Sequence, residues 1–434
     1  MLFRFSGWLD PVTKGWATMS TGLVIRLAFG LVASVLLARH LGPAVFGVYA
    51  VLAAVSGITG AIADLGLSTT AVKRIAAVWQ PASASSETPE TPSMAERRWQ
   101  TYAVLRTVST CLVVAAGLLL ARPLADRLLA ADIGSSLLRL VFLGVLATAL
   151  SGIMATALQS TRQFGRLSVV LVANSAMTAV LAVILAGLGK LTLVTALAVL
   201  GIGTSLLSLV LGFQLLPSGW RLGLPDASEI RYEGRELWRF GRWLWIASLL
   251  AMLAAQFDVL MLNRWSTAAV VGVYALALNL SGKVDIVNQG LHAVLLPAAS
   301  ALEHGQGIGR YLRRSLARSA AISAGVILLI LLAGPLITLL YGAEYAAAVP
   351  LFQLLLLVVI FDVLTTPALL LAYPLNRPRL LALAEAVRTA VLVVLAVLLI
   401  PGYGPMGAIV ARGVAKVVSA GLVLVALAWR RYRA

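Results

Sequence analysis

Long apolar runs, each closed by a few Gly, Pro, Asn, Asp or Arg residues, follow one another almost from end to end of this chain. They lack the strict alternation of a membrane β-strand, so each is predicted to be a helix. A helix needs about 20 apolar residues to cross a hydrocarbon core about 30 Å thick. Twelve stretches meet that length, at roughly 18–38, 44–66, 103–122, 136–158, 166–187, 192–214, 240–262, 268–297, 317–340, 347–372, 379–400 and 405–428. The first carries Arg26, and the eighth is long and unusually polar. Both count as spans because their flanks are apolar and the short hairpins around them leave no other topology. The fold class is therefore an all-α polytopic membrane protein.

Composition agrees with that pattern. Of 434 residues, 60% are hydrophobic and only 12% are charged. A soluble protein of this size would need far more charge on its outer helix faces. With the N-terminus in the cytoplasm, 23 of the 34 Lys and Arg fall on the cytoplasmic side, six on the other, and five inside spans. That bias places both termini in the cytoplasm. The net charge of +17 does not signal nucleic acid, because the basic residues are scattered over short loops that face one leaflet. All ten Trp lie near span ends or in loops, which reads as an interfacial aromatic belt. The single cysteine, Cys111, excludes an intrachain disulfide. The three His are scattered and no paired Cys occurs, so no metal site and no cofactor is expected.

A polar interruption at 217–239 divides the chain into an N-terminal six-helix lobe, 1–216, and a C-terminal six-helix lobe, 240–434. Its latter part, with Glu229, Arg231, Glu233, Arg235, Glu236, Trp238 and Arg239, reads as an amphipathic helix on the cytoplasmic surface. The lobes share sequence. Arg39, Gly47-Val48-Tyr49-Ala50 and Ser56-Gly57 recur 225 residues later as Arg264, Gly272-Val273-Tyr274-Ala275 and Ser281-Gly282. Seven identities at one offset indicate duplication, and a parallel repeat of this kind puts a transport site between the lobes near the midplane. A second polar stretch, 81–99, is rich in Pro, Ser, Thr and Glu and is predicted to be a disordered cytoplasmic loop.

Charges inside spans cost at least about 2.5–3.5 kcal/mol each and mark candidate sites. Arg412 and Lys416 lie four residues apart on one face of the last span. Such a pair is tolerated where the face lines a wet cavity or meets an anion, or where each cation snorkels or pairs with an acid. In span eight, Ser281, Asp285, Asn288, Gln289 and His292 form one stripe, with Asn279 and Lys283 nearly opposite. Arg26 either snorkels or projects into a cavity. Asp258, Asp285 and Asp362 are candidates for binding a coupling H⁺ or Na⁺, or for neutralising the cations. Glu385 and Arg388 read as a structural ion pair, Asp64 as a boundary residue. Five acids match the five in-span cations, so only the placement of Arg412 beside Lys416 suggests a cationic cavity.

The run Leu37-Ala38-Arg39-His40-Leu41-Gly42-Pro43-Ala44-Val45-Phe46-Gly47-Val48-Tyr49-Ala50, followed by Asp64-Leu65-Gly66-Leu67, resembles the opening hairpin of the polysaccharide (oligosaccharide) flippases, the Wzx-type repeat-unit translocases. So do Leu237-Trp238-Arg239-Phe240-Gly241, Phe257 to Arg264 with Val271-Gly272-Val273-Tyr274-Ala275, and Leu296-Pro297-Ala298-Ala299-Ser300. The resemblance implies the MATE-like fold of the multidrug/oligosaccharidyl-lipid/polysaccharide (MOP) superfamily, a V of two six-helix bundles. It also implies movement of undecaprenyl-pyrophosphate-linked oligosaccharide repeat units across a bacterial inner membrane, from the cytoplasmic to the periplasmic leaflet. The related lipid II flippases share an arginine and a nearby glycine in their first helix, which Arg26 and Gly30 match, but they carry fourteen helices. Under this resemblance Arg26, Lys283, Arg412 and Lys416 contact the pyrophosphate or acidic sugars. Membrane lipids, a polysaccharide polymerase and a chain-length regulator become the candidate partners.

Two other readings stay open. A MATE-type cation or drug antiporter would share the fold with a carboxylate-dominated cavity. A membrane-embedded glycan polymerase or ligase would need a sizeable extracytoplasmic loop with catalytic carboxylates, and the longest here, about 123–135, holds only Asp126 and Asp132. The chain is therefore not expected to be an enzyme.

Overall fold

A computed structural model describes residues 11–79, 94–128, 131–217, 220–221, 223–300, 307–372 and 378–431. Every regular element among the described residues is helical. The chain runs α1 (11–41), α2 (43–64), α3 (Leu67–Ala76), α4 (Met94–Leu119), α5 (Ala121–Leu128), α6 (Ala131–Ser160), α7 (Phe164–Gly187), α8 (Leu193–Gln214), α9 (Ala227–Trp265), α10 (Ala268–Ser300), α11 (Ile308–Tyr341), α12 (Ala348–Leu369), α13 (378–403) and α14 (405–431). Among the described residues, ten helical stretches are long and apolar enough to cross a membrane. Two of these, Thr21–Asp64 and Leu383–Ala426, are 44 residues long. Each breaks near its middle at a glycine with positive φ, Gly42 (φ 68°) and Gly404 (φ 55°). A proline follows each glycine and opens the next helix, where its missing N–H costs nothing. The twelve spanning helices are thus α1, α2, α4, α6 to α14 without the short α3 and α5.

The described residues cluster into two compact units. Unit 1 comprises 1–41 and 52–253, and unit 2 comprises 42–51 and 254–434. This division differs from the sequence-based one at two places. The amphipathic segment of 217–239 is not a separate element, because α9 starts at Ala227 and runs unbroken for 39 residues into the seventh span. Its first part, to Leu253, belongs to unit 1. The start of α2, Gly42–Val51, clusters with unit 2.

In unit 1 the core gathers Leu67, Ala71, Ile75, Trp99, Tyr102, Ile153, Met154, Trp220 and Leu237. Two expectations change here. Residues 94–99 are helix, not loop, whereas 80–93 lie outside the described residues. Trp99 and Trp220 do not sit in an aromatic belt. Both are buried, their rings 5.3 Å apart, with Trp99 Nε1 donating to the Ile153 carbonyl at 3.2 Å. Burial of two indoles outweighs interfacial placement once a protein pocket is on offer. The buried carboxylate of Glu96 accepts from the Arg221 backbone N–H at 2.8 Å, and Gln100 Nε2 donates to the Arg221 carbonyl at 2.8 Å, which ties the segment before α9 to α4.

In unit 2, α10 packs on α12 through Leu291, Leu295, Val359, Val363 and Leu370. The two glycines that mark the repeat meet each other. A Cβ on Gly47 would lie 1.8 Å from the Ala268 carbonyl oxygen, and one on Gly272 would lie 2.0 Å from that of Pro43. α2 and α10 therefore touch backbone to backbone at repeat-equivalent positions, the close approach that paired glycines allow. Gly47→Ala and Gly272→Ala are each expected to lower stability by about 1–3 kcal/mol through overpacking. Gly60→Ala, in the same α2 helix with nothing near its Cβ position, should be close to neutral. Thermal unfolding of the purified variants in detergent checks the contrast.

Candidate functional site

The in-span charges of unit 2 occupy α9, α10, α12, α13 and α14. Arg412 projects from α14 onto Asp258 of α9, with Nη2 at 2.5 Å and Nε at 3.1 Å from Oδ2. Asp258 is 1% exposed, and its acceptor capacity is filled. Tyr274 OH of α10 donates to Oδ2 at 2.5 Å, and the Val259 N–H to Oδ1 at 2.9 Å. Arg412 Nη2 also reaches the Ala255 carbonyl at 3.3 Å. Only such dense hydrogen bonding repays burying both charges. One turn along α14, Lys416 donates to Asp362 Oδ2 of α12.

These pairs take up one of the alternatives the sequence left open. Arg412 and Lys416 share a helix face but do not form a doubly cationic patch, because each is joined to its own carboxylate. Asp258 and Asp362 neutralise them. The reason lies in the low-dielectric interior, where two adjacent unpaired cations would each pay desolvation with no return.

Asp285 behaves differently. Its Oδ1 is buried and has no hydrogen-bond partner among the described residues. It lies close enough to Asp362 to act on it electrostatically, as does Arg388. On the same helix Asn288 accepts from Thr366 Oγ1 of α12 at 3.1 Å, so the Asp285–Asn288 side of α10 faces α12. Gln289 and His292 of the expected stripe are exposed. A cavity of about 240 Å³ opens beside them, lined by His292, Thr366, Glu385 and Ser419 among others. Glu385 pairs with Arg388 on α13. Lys283 is half-buried, and its Nζ donates to Asn279 one turn earlier.

In unit 1, Arg26 is exposed on α1. Together with Lys283 it is one of two in-span cations, of the five named from sequence, with no carboxylate partner among the described residues. A further buried pair was not anticipated. Arg106 of α4, near the start of the third span, is 8% exposed and lies 3.1 Å from Asp64, read from sequence as a boundary residue. Ser68 donates to Asp64, and the Tyr102 hydroxyl bridges Ser68 at 3.0 Å and Thr156 at 3.1 Å. No group of three His, Cys, Asp or Glu side chains able to hold a metal ion occurs among the described residues.

Twelve apolar helices among the described residues, with charges inside them, define a multi-pass membrane protein. The family model for polysaccharide biosynthesis proteins matches residues 36–350, and the chain belongs to that family. Curated protein sequences give no match. Among solved structures, the lipid II flippase MurJ in an inward closed conformation aligns with a TM-score of 0.70 at 12% identity, covering 94% of this chain and 87% of that one. An inward-facing multidrug-resistance MATE transporter of the MOP superfamily aligns at 0.69 and 15% identity, covering 95% and 98%. A MATE transporter from Vibrio cholerae aligns at 0.63 and 15%, covering 98% and 97%. The fold is therefore the one these solved structures share.

The buried pair yields a sharp expectation. Asp258→Asn strands the Arg412 charge and should cost about 3–5 kcal/mol, whereas Asp258→Asn with Arg412→Gln should recover a large part of the loss. Thermal unfolding of the two single variants and the double variant supplies the cycle.

Proposed function

We propose that the protein is a flippase that moves prenyl-pyrophosphate-linked oligosaccharide repeat units from the cytoplasmic to the periplasmic leaflet of a bacterial inner membrane, by alternating access. The observation that carries this reading is the family match over 36–350 together with in-span cations that no carboxylate among the described residues neutralises. A pyrophosphate cannot cross hydrocarbon without groups that replace its hydration, and Arg26 and Lys283 are the in-span cations that no carboxylate among the described residues already holds. Arg412 and Lys416 enter this reading as members of ion pairs, each able to meet the anion only by leaving its carboxylate. The undecaprenyl chain stays in lipid. The work is translocation, not bond-making, so no catalytic residue is assigned. A polymerase and a chain-length regulator would act on the delivered units.

Coupling to H⁺ or Na⁺ fits the same set of acids. Of Asp258, Asp285 and Asp362, Asp285 is the best candidate to bind the ion, since its buried Oδ1 lacks a hydrogen-bond partner among the described residues. The fold alone does not favour a flippase over a MATE antiporter, because both kinds of neighbour align equally well. The family match and the cationic rather than acidic character of Arg26 favour the lipid-linked sugar.

A reconstituted assay tests the assignment. Vesicles loaded with a fluorescent prenyl-pyrophosphate oligosaccharide should show translocation by the parent protein. Removal of one charge-assisted contact is worth about 1.5–3 kcal/mol, so Arg26→Gln and Lys283→Gln should each slow transport by about 10- to 100-fold. Unchanged rates in correctly inserted variants would refute the assignment of these two residues. Export of organic cations with no lipid-linked sugar movement would instead identify an antiporter.

A further inference from the structure

The first five turns of α9 sort their charges by face. Glu233 and Glu236 turn toward α3 and α4 of the same unit, where Arg74 holds both, at 2.9 and 3.2 Å, and Arg98 reaches Glu233 at 3.2 Å. Glu229 takes Arg97 at 2.7 Å. Leu237 is buried in the core behind them, and the Gly241 backbone lies against Gly66, leaving no space for a Cβ on Gly66. These acids are therefore neutralised inside the protein.

The opposite face carries Arg231, Arg235, Arg239 and Arg242, which fall within about 80° of arc at 100° per residue. All four are exposed. Arg239 also touches Glu236 at 3.3 Å, yet its side chain remains 73% exposed. The other three have no carboxylate partner among the described residues. Interleaved with them are Trp238 and Trp243, 44% and 67% exposed, and Arg242 lies over the Trp243 ring at 5.5 Å. Indoles left open beside arginines, on a helix that continues without a break into a membrane span, match the chemistry of a lipid headgroup layer. The indole sits at the acyl boundary and the guanidinium reaches the phosphate.

We propose that this outer face of α9 is a docking surface for the headgroups of anionic phospholipids in the leaflet where α9 enters the membrane. The occupant is the bulk anionic phospholipid and not the pyrophosphate of the cargo. Charge complementarity supports that assignment. The inner acids are already held by Arg74, Arg97 and Arg98, which leaves a net positive strip whose one contact with an acid is that of Arg239 with Glu236, and the strip is long enough for several single phosphates. Each basic group held near an anionic surface contributes about a fivefold gain in binding. The surface thereby fixes the depth and rotation of α9 at its point of insertion.

Quenching by brominated lipids tests this on the full-length protein. Vesicles contain dibrominated phosphatidylglycerol or dibrominated phosphatidylcholine at equal mole fraction. The signal from Trp238 and Trp243 is isolated by subtracting Trp238→Phe/Trp243→Phe. Phosphatidylglycerol is expected to quench these two indoles at several-fold lower mole fraction than phosphatidylcholine, with the preference fading in high salt. Arg231→Gln/Arg235→Gln/Arg239→Gln/Arg242→Gln should abolish the preference. Arg122→Gln/Arg127→Gln/Arg139→Gln/Arg264→Gln, which removes the same charge elsewhere, should keep it. If the first quadruple variant does not fold, the doubles Arg231→Gln/Arg235→Gln and Arg239→Gln/Arg242→Gln should each lose part of the preference. Equal quenching by both lipids, a preference that survives loss of the four arginines, or relief of quenching by stoichiometric prenyl pyrophosphate would overturn the proposal. None of these outcomes depends on transport, so a failed flippase assignment leaves this test intact.

Discussion

A charge taken into hydrocarbon must find a partner, and that constraint organises the interior of this protein. Water is absent there to share the cost, so the protein must supply the counter-charge and the remaining hydrogen bonds itself. Asp258 shows the solution in full. It receives two donors from Arg412, one from Tyr274 and one from the Val259 backbone. The Arg106–Asp64 pair, with Ser68 and Tyr102 around it, is the counterpart in the other unit. Against that background the groups without such closure stand out. Arg26 and Lys283 lack a carboxylate, and one oxygen of Asp285 lacks any donor, among the described residues. They are where a ligand or an ion would repay the cost that the protein leaves open.

The same constraint acts on the backbone. Each apolar run closes its hydrogen bonds within a helix, and reversals fall where glycine or proline ends the ladder. Gly42-Pro43 and Gly404-Pro405 break the two longest helical stretches at matching points. Gly47 and Gly272 then let α2 and α10 meet at a distance that no side chain would tolerate. A duplication that keeps the same glycine in both copies places both at one contact.

The helices were legible in the sequence because length and apolarity decide them, and the breakers mark their ends. Two features were not. The start of α4 at Met94 was hidden by the charged run Glu96-Arg97-Arg98, although Ala95, Trp99, Tyr102 and Ala103 repeat at helical spacing and are all buried. Partner choice among charges was also hidden. Arg412 and Asp258 lie 154 residues apart, and Lys416 and Asp362 lie 54 apart, so no local spacing could join them. The only trace was the equal number of acids and bases within spans. The amphipathic character of 227–239 was readable, but not which of its charges would be neutralised, since that depends on Arg74, Arg97 and Arg98 from other helices.

The central claim is that unpartnered cations inside the membrane serve a lipid-borne pyrophosphate. Its most direct test compares two cargoes in vesicles containing the purified protein, the same oligosaccharide on a prenyl pyrophosphate and on a neutral prenyl ether. The account predicts transport of the pyrophosphate form alone, with free pyrophosphate competing. Equal transport of both, or of neither while an organic cation is exported, would contradict it.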